Sequence, residues 1–560
     1  MVDLVDGLSF EWVASDAKTS QVELDAVNSN YWKNPRDLQD AEITQAQIDN
    51  NLGLYNLKPY QVGSSPEADN AFYRSWRETT EEQAYVSGSF NYLSDIADWI
   101  SFDFSGGADV EKTERGVRQE FFEVGISNPP NPSDAGGNTP EEAVQNAIGG
   151  INAAFESDTI SRGSRDVDGF YLNTKLTLLT DYDLIFGARF EDFSMRTSTN
   201  ASGRFFNYSL LANDFSQTPQ TDPFLNSALL GYDEPLDLES IDGEISEQYV
   251  LPAFGFVYRP IEGMRIFLNY SQTVARPSFK EFTYITTRDP ESLDFVSGNP
   301  RLVTSEVESF DFRMEYLYGD FGDLLALSLF HKRIDNPIET LSLRGSVTTD
   351  TFFNNPDTAK LSGIEIEARK DLSFLGAGFF RHFSVGGNFT FIDAEVSNLP
   401  LVNALLTTGV DNVVPNSPNT VFGGGFAEEN SLREKRSLVD QPEWIANADI
   451  TFNHEDWGTR ATLSLFAISD VLSSPVTFIQ NSAGNRALPA RYRGSFSQLN
   501  FTLSQRLTDY LSLGFSVKNI TDSERTLFYD EVLIDGDIRD REERKYRVGR
   551  DFSISLNATF

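Results

Sequence analysis

Histidine is the side chain best suited to acid–base chemistry near neutral pH, and this chain of 560 residues has three: His331, His382 and His454. A hydrolytic site needs a histidine beside a serine and a carboxylate, but the three lie far apart in sequence. There is no cysteine, which excludes thiol nucleophiles, thiolate metal sites and disulfides. The acidic run I-D-G-D-I-R-D-R-E-E at 534–543 offers carboxylates without the ligand spacing of a calcium loop. No catalytic residue, metal site or cofactor is assigned, and the chain is not expected to be an enzyme. Binding chemistry is better supplied. Tyr31, Trp32, Tyr232, Phe528 and Tyr529 lie beside polar groups in stretches without strong periodicity. Flat aromatic faces of this kind stack on sugar rings or planar chelating groups, so these five are the candidate ligand contacts.

The charge balance narrows the partners. Lys and Arg number 45 against 84 Asp and Glu, a formal net charge of −39. Nucleic acid is excluded, because its recognition needs a basic footprint. No apolar run is long enough for a membrane-spanning helix. A membrane barrel remains open, since each of its strands needs only about 9–11 residues, half of them apolar. The 45 Phe and 20 Tyr in a chain that is polar on average suit an apolar outer band around a polar interior.

The elements that would carry the candidate residues read almost entirely as strands. About sixteen runs alternate with period two, each bounded by turn residues. The first covers 7–24, with Leu8, Phe10, Trp12 and Ala14 on one face. The last covers 547–560, where Phe552, Ile554, Leu556, Ala558 and Phe560 alternate with Ser553, Ser555, Asn557 and Thr559. Between them lie hairpins such as 170–180 with 184–196 and 495–507 with 510–520. One short helix is predicted at 139–155, inside a Pro/Gly/Asn-rich loop at 125–165. Turns of a few residues alternate with loops of roughly twenty to fifty residues along the whole chain, as in an outer-membrane barrel with short periplasmic turns and long extracellular loops. The predicted fold is therefore all-β, an antiparallel transmembrane β-barrel. With the last strand descending, every long loop is external, which places the five candidate aromatics outside. Tyr73 and Trp76, near strand ends, fit the interfacial girdle better. Charged residues such as Arg313, Glu315, Glu365, Glu367 and Arg369 must face a lumen, because Arg or Lys at the lipid midplane costs about 2–4 kcal/mol.

Specific motifs sharpen this. The segment Y-S-Q-T-V-A-R-P-S-F-K-E-F begins at Tyr270 and contains Arg276 and Pro277; G-N-P-R-L follows from Gly298, Asn299 and Pro300. Proline ends a ladder because it has no N–H to donate, and Gly-Asn-Pro marks a turn into the next strand. With L-S-G-I-E-I-E-A at 361–368, F-S-V-K-N-I-T-D at 515–522 and the terminal V-G-R-D-F-S-I-S-L-N-A-T-F, these stretches resemble TonB-dependent outer-membrane receptors. The upstream pieces S-F-E-W-V-A-S-D-A-K-T and S-W-R-E-T-T-E-E are similar to strands of the larger receptors of carbohydrate-scavenging bacteria.

The resemblance covers nearly all of residues 1–560 and implies the carboxyl-terminal portion of a 22-stranded barrel. In that family a plug sits inside the barrel, preceded by the segment on which TonB pulls. No plug-like stretch or signal peptide is read at the start of this chain, so the expectation is a fragment of a longer receptor in the cell outer membrane of a Gram-negative bacterium. The resemblance implies outer-membrane lipid, TonB (through the part not present here), a small nutrient ligand and the barrel-assembly machinery as partners. Phe560, the terminal aromatic, would be the assembly signal. The expected function is TonB-energised uptake of a scarce nutrient, an oligosaccharide or a ferric siderophore-like chelate. The alternatives are a passive porin or channel and a structural or adhesive surface protein.

Overall fold

Strict alternation of apolar and polar side chains gives each strand one greasy and one wet face, and sheet formation must bury or wet them separately. In the computed structural model this yields one dominant antiparallel sheet. The structure describes residues 2–5, 7–29, 31–33, 57–59, 72–126, 151–200, 242–288, 295–319, 322–344, 348–376, 378–397, 435–475, 477–481, 484–488, 490–532 and 538–558.

Its main sheet has eighteen strands, of which sixteen are long. The first group comprises β1 (Leu8–Ser29), β2 (Phe72–Ala97), β3 (Ile100–Ile126), β4 (Ile151–Leu178) and β5 (Tyr182–Thr199). The middle group is β6 (Gly243–Tyr258), β7 (Met264–Ala275), β8 (Ser305–Tyr318), β9 (Asp323–Asp335), β10 (Ala359–Asp371) and β11 (Phe383–Ser397). The last is β12 (Trp444–His454), β13 (Thr459–Ile468), β14 (Phe496–Thr508), β15 (Leu511–Lys518) and β16 (Asp551–Ala558). The remaining two are the short Val2–Val5, paired with β1, and Lys435–Arg436, paired with β11. Each long strand pairs antiparallel with the next in sequence. Because every neighbour reverses direction, the two edge strands, Val2–Val5 and β16, run the same way.

Connections alternate short and long as expected, so the sheet has a turn end and a loop end. Trp12, Phe254, Leu325, Ile366 and Phe389 are exposed on the outer face despite being apolar. That is the signature of a surface meant for lipid. Aromatic pairs rim this band at the turn end: Tyr182 stacks on Tyr258 with ring centroids 4.9 Å apart, and Tyr316 on Tyr318 at 5.4 Å. Rings with one polar edge suit the water–lipid boundary.

The inner face is polar and ion-paired. Arg313 on β8 donates to Glu315, to Ser328 on β9 and to Glu367 on β10 at 2.9–3.1 Å, as expected for lumenal charges.

Three predicted boundaries differ. Residues 151–155, read as the end of a helix, begin β4 instead. The loops read at 125–165 and 198–244 are shorter, because β3, β4 and β5 run on to Ile126, from Ile151 and to Thr199. Their alternation continues past the apolar band with charges on the outer face, and polar alternation is easily taken for loop. Finally, the long connections after β7, β9, β13 and β15 are not structureless. They fold into a six-stranded and a four-stranded sheet at the loop end.

Candidate functional site

The loop end is organised by the connection that follows β7. Arg276 and Pro277 end the ladder there, and Ser278–Glu281 nucleates a single helical turn, α1 (Phe279–Phe282). A capping box makes this turn self-sufficient: the Glu281 N–H donates to Ser278 Oγ at 3.3 Å and the Ser278 N–H to Glu281 Oε2 at 2.7 Å. The sequence signal, S-x-x-E straight after a proline, was available but is too common to name a site by itself.

Having turned, the chain runs along the lumenal wall rather than out into solvent. Phe279, Phe282 and Leu302 bury against Val167 on β4, Phe193 and Met195 on β5 and Ile245 on β6. Gly163 on β4 and Gly243 at the start of β6 leave notches for the two rings. A Cβ at either glycine would stand 2.6 Å from Phe279 or Phe282, respectively. Farther on, Gln119 Nε2 on β3 donates to the Thr286 carbonyl at 3.1 Å. The connection thus follows the inner wall from β7 to β3.

Arg276 anchors it electrostatically. Its guanidinium pairs with Glu191 and lies over the Phe193 ring at 4.5 Å. Glu191 also accepts from Arg189 Nε at 2.7 Å, and Arg189 forms a two-pronged pair with Asp109 at 2.6 and 2.9 Å. Arg165 pairs with Glu111 at 2.6 Å just beside them. This belt of alternating charge lies on the inner faces of β3, β4 and β5.

The Gly-Asn-Pro turn closes the excursion. A Cβ on Gly298 would fall 2.1 Å from the Thr283 carbonyl oxygen, so only glycine fits. Asn299 Nδ2 donates to the Phe352 carbonyl at 3.0 Å, and Asn299 Oδ1 accepts from the Arg301 N–H at 2.9 Å. Pro300 is buried at the start of the turn into β8. Tyr270, by contrast, sits mid-strand on the outer face, its ring 4.9 Å from that of Phe310.

Three connections weld into the six-stranded sheet through parallel pairings. Phe295–Ser297 pairs with Thr348–Asn354, and Ile338–Arg344 with Thr477–Asn481. A buried ion pair ties in a further segment: Arg436 donates to both oxygens of Glu339 at 2.7 and 2.8 Å. Val471–Ser474, Arg491–Arg493, Glu524–Val532 and Ile538–Arg547 form the four-stranded sheet. On it, the Lys545 ammonium hydrogen-bonds Glu524 and holds its carboxyl below the usual range.

Between the two sheets and the lumen lies a cavity of about 670 Å³. Lys280 from α1, Arg491, Arg493 and Arg525 line it together with Asp350 and Asp440. Its apolar wall includes Phe352 and Phe496. That size and mixture fall within the range of small-ligand sites.

The candidate aromatics are not brought together. Phe528 and Tyr529 are each only 9% exposed. Phe528 stacks on Tyr492 at 5.5 Å inside the four-stranded sheet. They are therefore packing residues rather than a stacking surface open to solvent, because pairing with Arg491–Arg493 covers them. Tyr31 and Trp32 lie in the short strand Tyr31–Lys33, paired with Leu57–Pro59; their side chains, Tyr232 and Phe560 lie outside the described residues. His382 and His454 do meet, ring centroids 3.9 Å apart, at the turn end beside Phe452 and Trp457. His331 instead bonds Ser362 Oγ at 2.8 Å. Among the described residues no three His, Asp or Glu side chains are grouped to hold a metal ion.

The family model for the TonB dependent receptor-like β-barrel matches residues 3–520. The chain belongs to this family. Members of the TonB-dependent receptor family are transporters of the Gram-negative outer membrane, not enzymes.

Among solved structures, the siderophore receptor PiuA from Acinetobacter baumannii is similar with a TM-score of 0.51 and 12% identity, over 99% of this chain and 62% of that one. FpvA of P. aeruginosa follows at 0.49 and 12%, over 99% and 54%. The open form of the ferric-catecholate import receptor Fiu from E. coli K12 scores 0.48 at 12%, over 99% and 60%. The chain thus spans between 54% and 62% of the length of these three structures. No curated protein sequence matches it.

Proposed function

We propose that this chain is the barrel portion of a longer receptor that imports a scarce small nutrient across the outer membrane with energy delivered by TonB. The observation that carries the reading is the mouth. Phe279, Phe282, Thr286 and Leu302 of the connection after β7 pack against the inner wall from β6 to β3, and the welded sheets beside them line a ligand-sized cavity. A passive porin keeps an aqueous path open; a loop end with connections packed inward around a ligand-sized cavity suits capture followed by driven release.

Membership of a longer protein is supported by strand direction. The edges Val2–Val5 and β16 run parallel, so antiparallel closure calls for an odd number of further strands. In such a receptor those strands, a plug and the TonB-contacting segment precede this portion, outer-membrane lipid surrounds it, and the terminal Phe560 guides insertion by the barrel-assembly machinery. The similarity to PiuA, itself a siderophore receptor, supports the fold.

The test is growth on candidate nutrients, oligosaccharides and ferric chelates, by cells relying on the full-length receptor. Growth on one of them that is abolished when TonB is deleted is the expected result. Growth that persists without TonB overturns energised uptake in favour of a passive channel.

A further inference from the structure

We propose that the turn joining β10 to β11 docks in the lipid leaflet at the turn end of the barrel, where its Arg381 selects phospholipids with an anionic headgroup. The other turns at that end are short and each carries a carboxylate: Asp98 in 98–99, Asp181 in 179–181, Glu262 in 259–263, Asp320 in 319–322, Glu455 and Asp456 in 455–458, and Asp509 in 509–510. Residues 372–382 break both habits. They read L-S-F-L-G-A-G-F-F-R-H, the longest of these turns, and in a chain with 84 acidic residues they hold none. An apolar, acid-free stretch with an arginine suits an anionic interface better than open water.

The fold holds this turn against the outer face. The Leu372 N–H donates to the Phe383 carbonyl at 2.9 Å across its base, and two 3₁₀ turns, Ser373–Leu375 and Phe379–His382, shape its arms. Phe379 packs on Phe383 at 5.0 Å and on Phe452 at 6.1 Å. Those two rings continue the row of Phe389, Phe391 and Ile450 on the lipid-facing side. Yet Phe374, Phe379 and Trp457 remain 65%, 60% and 61% exposed. Continuity with the apolar band makes lipid the occupant of these bare rings.

Arg381 supplies the headgroup contact. Its Nε donates to His382 Nε2 at 3.2 Å, His382 stacks on His454 at 3.9 Å and His454 on Trp457 at 4.1 Å, a column that ties the guanidinium to the exposed rings. Arg381 is exposed and, among the described residues, pairs with no carboxylate. The nearby carboxylates are engaged elsewhere: Asp371 accepts the Ser373 N–H at 2.8 Å, and Asp323 pairs with Lys370. Glu455 and Asp456, on the neighbouring turn, line a cavity with Arg460 and Arg506, which lie on the lumenal faces of β13 and β14. A guanidinium left free in this way can take a phosphate with charge-assisted hydrogen bonds.

Trp457 reports on the docking. The full-length receptor is reconstituted in phosphatidylcholine vesicles containing either brominated phosphatidylglycerol or, in equal amount, brominated phosphatidylcholine. The Trp457 share of the fluorescence is taken by difference from Trp457→Phe. The anionic lipid is expected to quench that share more, with the excess shrinking as salt is added. Arg381→Glu should abolish the excess, and Arg381→Lys should keep it. Equal quenching by the two lipids, or an excess that persists in a folded Arg381→Glu receptor, overturns the headgroup site. No quenching of Trp457 by either lipid overturns the docking altogether; if Phe379→Ser with Phe380→Ser then abolishes self-association seen by cross-linking, the occupant is a second copy instead. Neither a nutrient nor TonB enters the measurement, so its outcome is independent of the uptake reading.

Discussion

The two halves of the barrel gain height above the membrane by different means. In the first, β1 to β5 run 22, 26, 27, 28 and 18 residues, although about 9–11 suffice to cross the lipid. In the last, β12 to β16 run 11, 10, 13, 8 and 8, and what rises above them is made of separate sheets. The tall strands keep their period of two but change chemistry along it. On the outer face of β2, Val86 and Ala84 give way to Glu82, Thr80 and Glu78. In the second half the ladder is cut at the band's edge: Pro277 follows β7, Pro337 follows β9 and Asn519, with φ 55°, follows β15. Uninterrupted backbone pairing extends a wall. A cut ladder frees the chain to turn inward, and a site made from several connections becomes possible.

That contrast can be broken at the joints of the second half. Glu339→Leu leaves Arg436 buried without its anion, a loss of about 3–5 kcal/mol for such pairs. Hydrogen exchange should rise through 336–358 and 435–443 while β1 to β5 stay protected; protection lost equally everywhere would mean that the halves are not independent. Next in size is a paired test of the outer face. Ile450→Arg on β12 places a cation against lipid and should cost about 2–4 kcal/mol toward the midplane. Thr80→Arg, on the same face of a tall strand but past the apolar band, should leave insertion yield unchanged; equal losses would show that the tall strands lie within the membrane.

Gly163→Val fills the notch that receives Phe279, and overpacking of this kind costs about 1–3 kcal/mol. Its expected effect is faster proteolysis within 276–304 with the barrel intact; an unaltered digest would show that the notch is not what holds the connection. The smallest effect is expected for Glu82→Ala, which removes an exposed pair with Lys18 on the tall wall. Thermal stability should not move measurably, since such pairs contribute little in water.

Much of this was readable from the residues. Alternation placed Trp444, Ala446, Ala448, Ile450 and Phe452 on one face and Asn447, Asp449 and Thr451 on the other, and the register of β12 against β13 keeps them so. Period two is a property of the extended backbone itself and needs no partner to be visible. Pro277 and Gly298-Asn299-Pro300 were legible as breaks for the same local reason. The reach of β1 to β5 was not, because Ser, Thr and Glu in alternation carry no apolar signal once a strand leaves the lipid.

For the site, local reading identified Arg276 and the segment around it but not its partner Glu191, which lies on a strand two earlier in the sheet. It marked Phe528 and Tyr529 as open surfaces, whereas pairing with Arg491–Arg493 covers them. The sequence by itself determined strands, faces and the order of short and long connections, because those follow from each residue and its immediate neighbours. Only the tertiary structure decided that Lys280, Arg491, Arg493 and Arg525 share one cavity, because sheet pairing between separate connections joins residues that no local period relates.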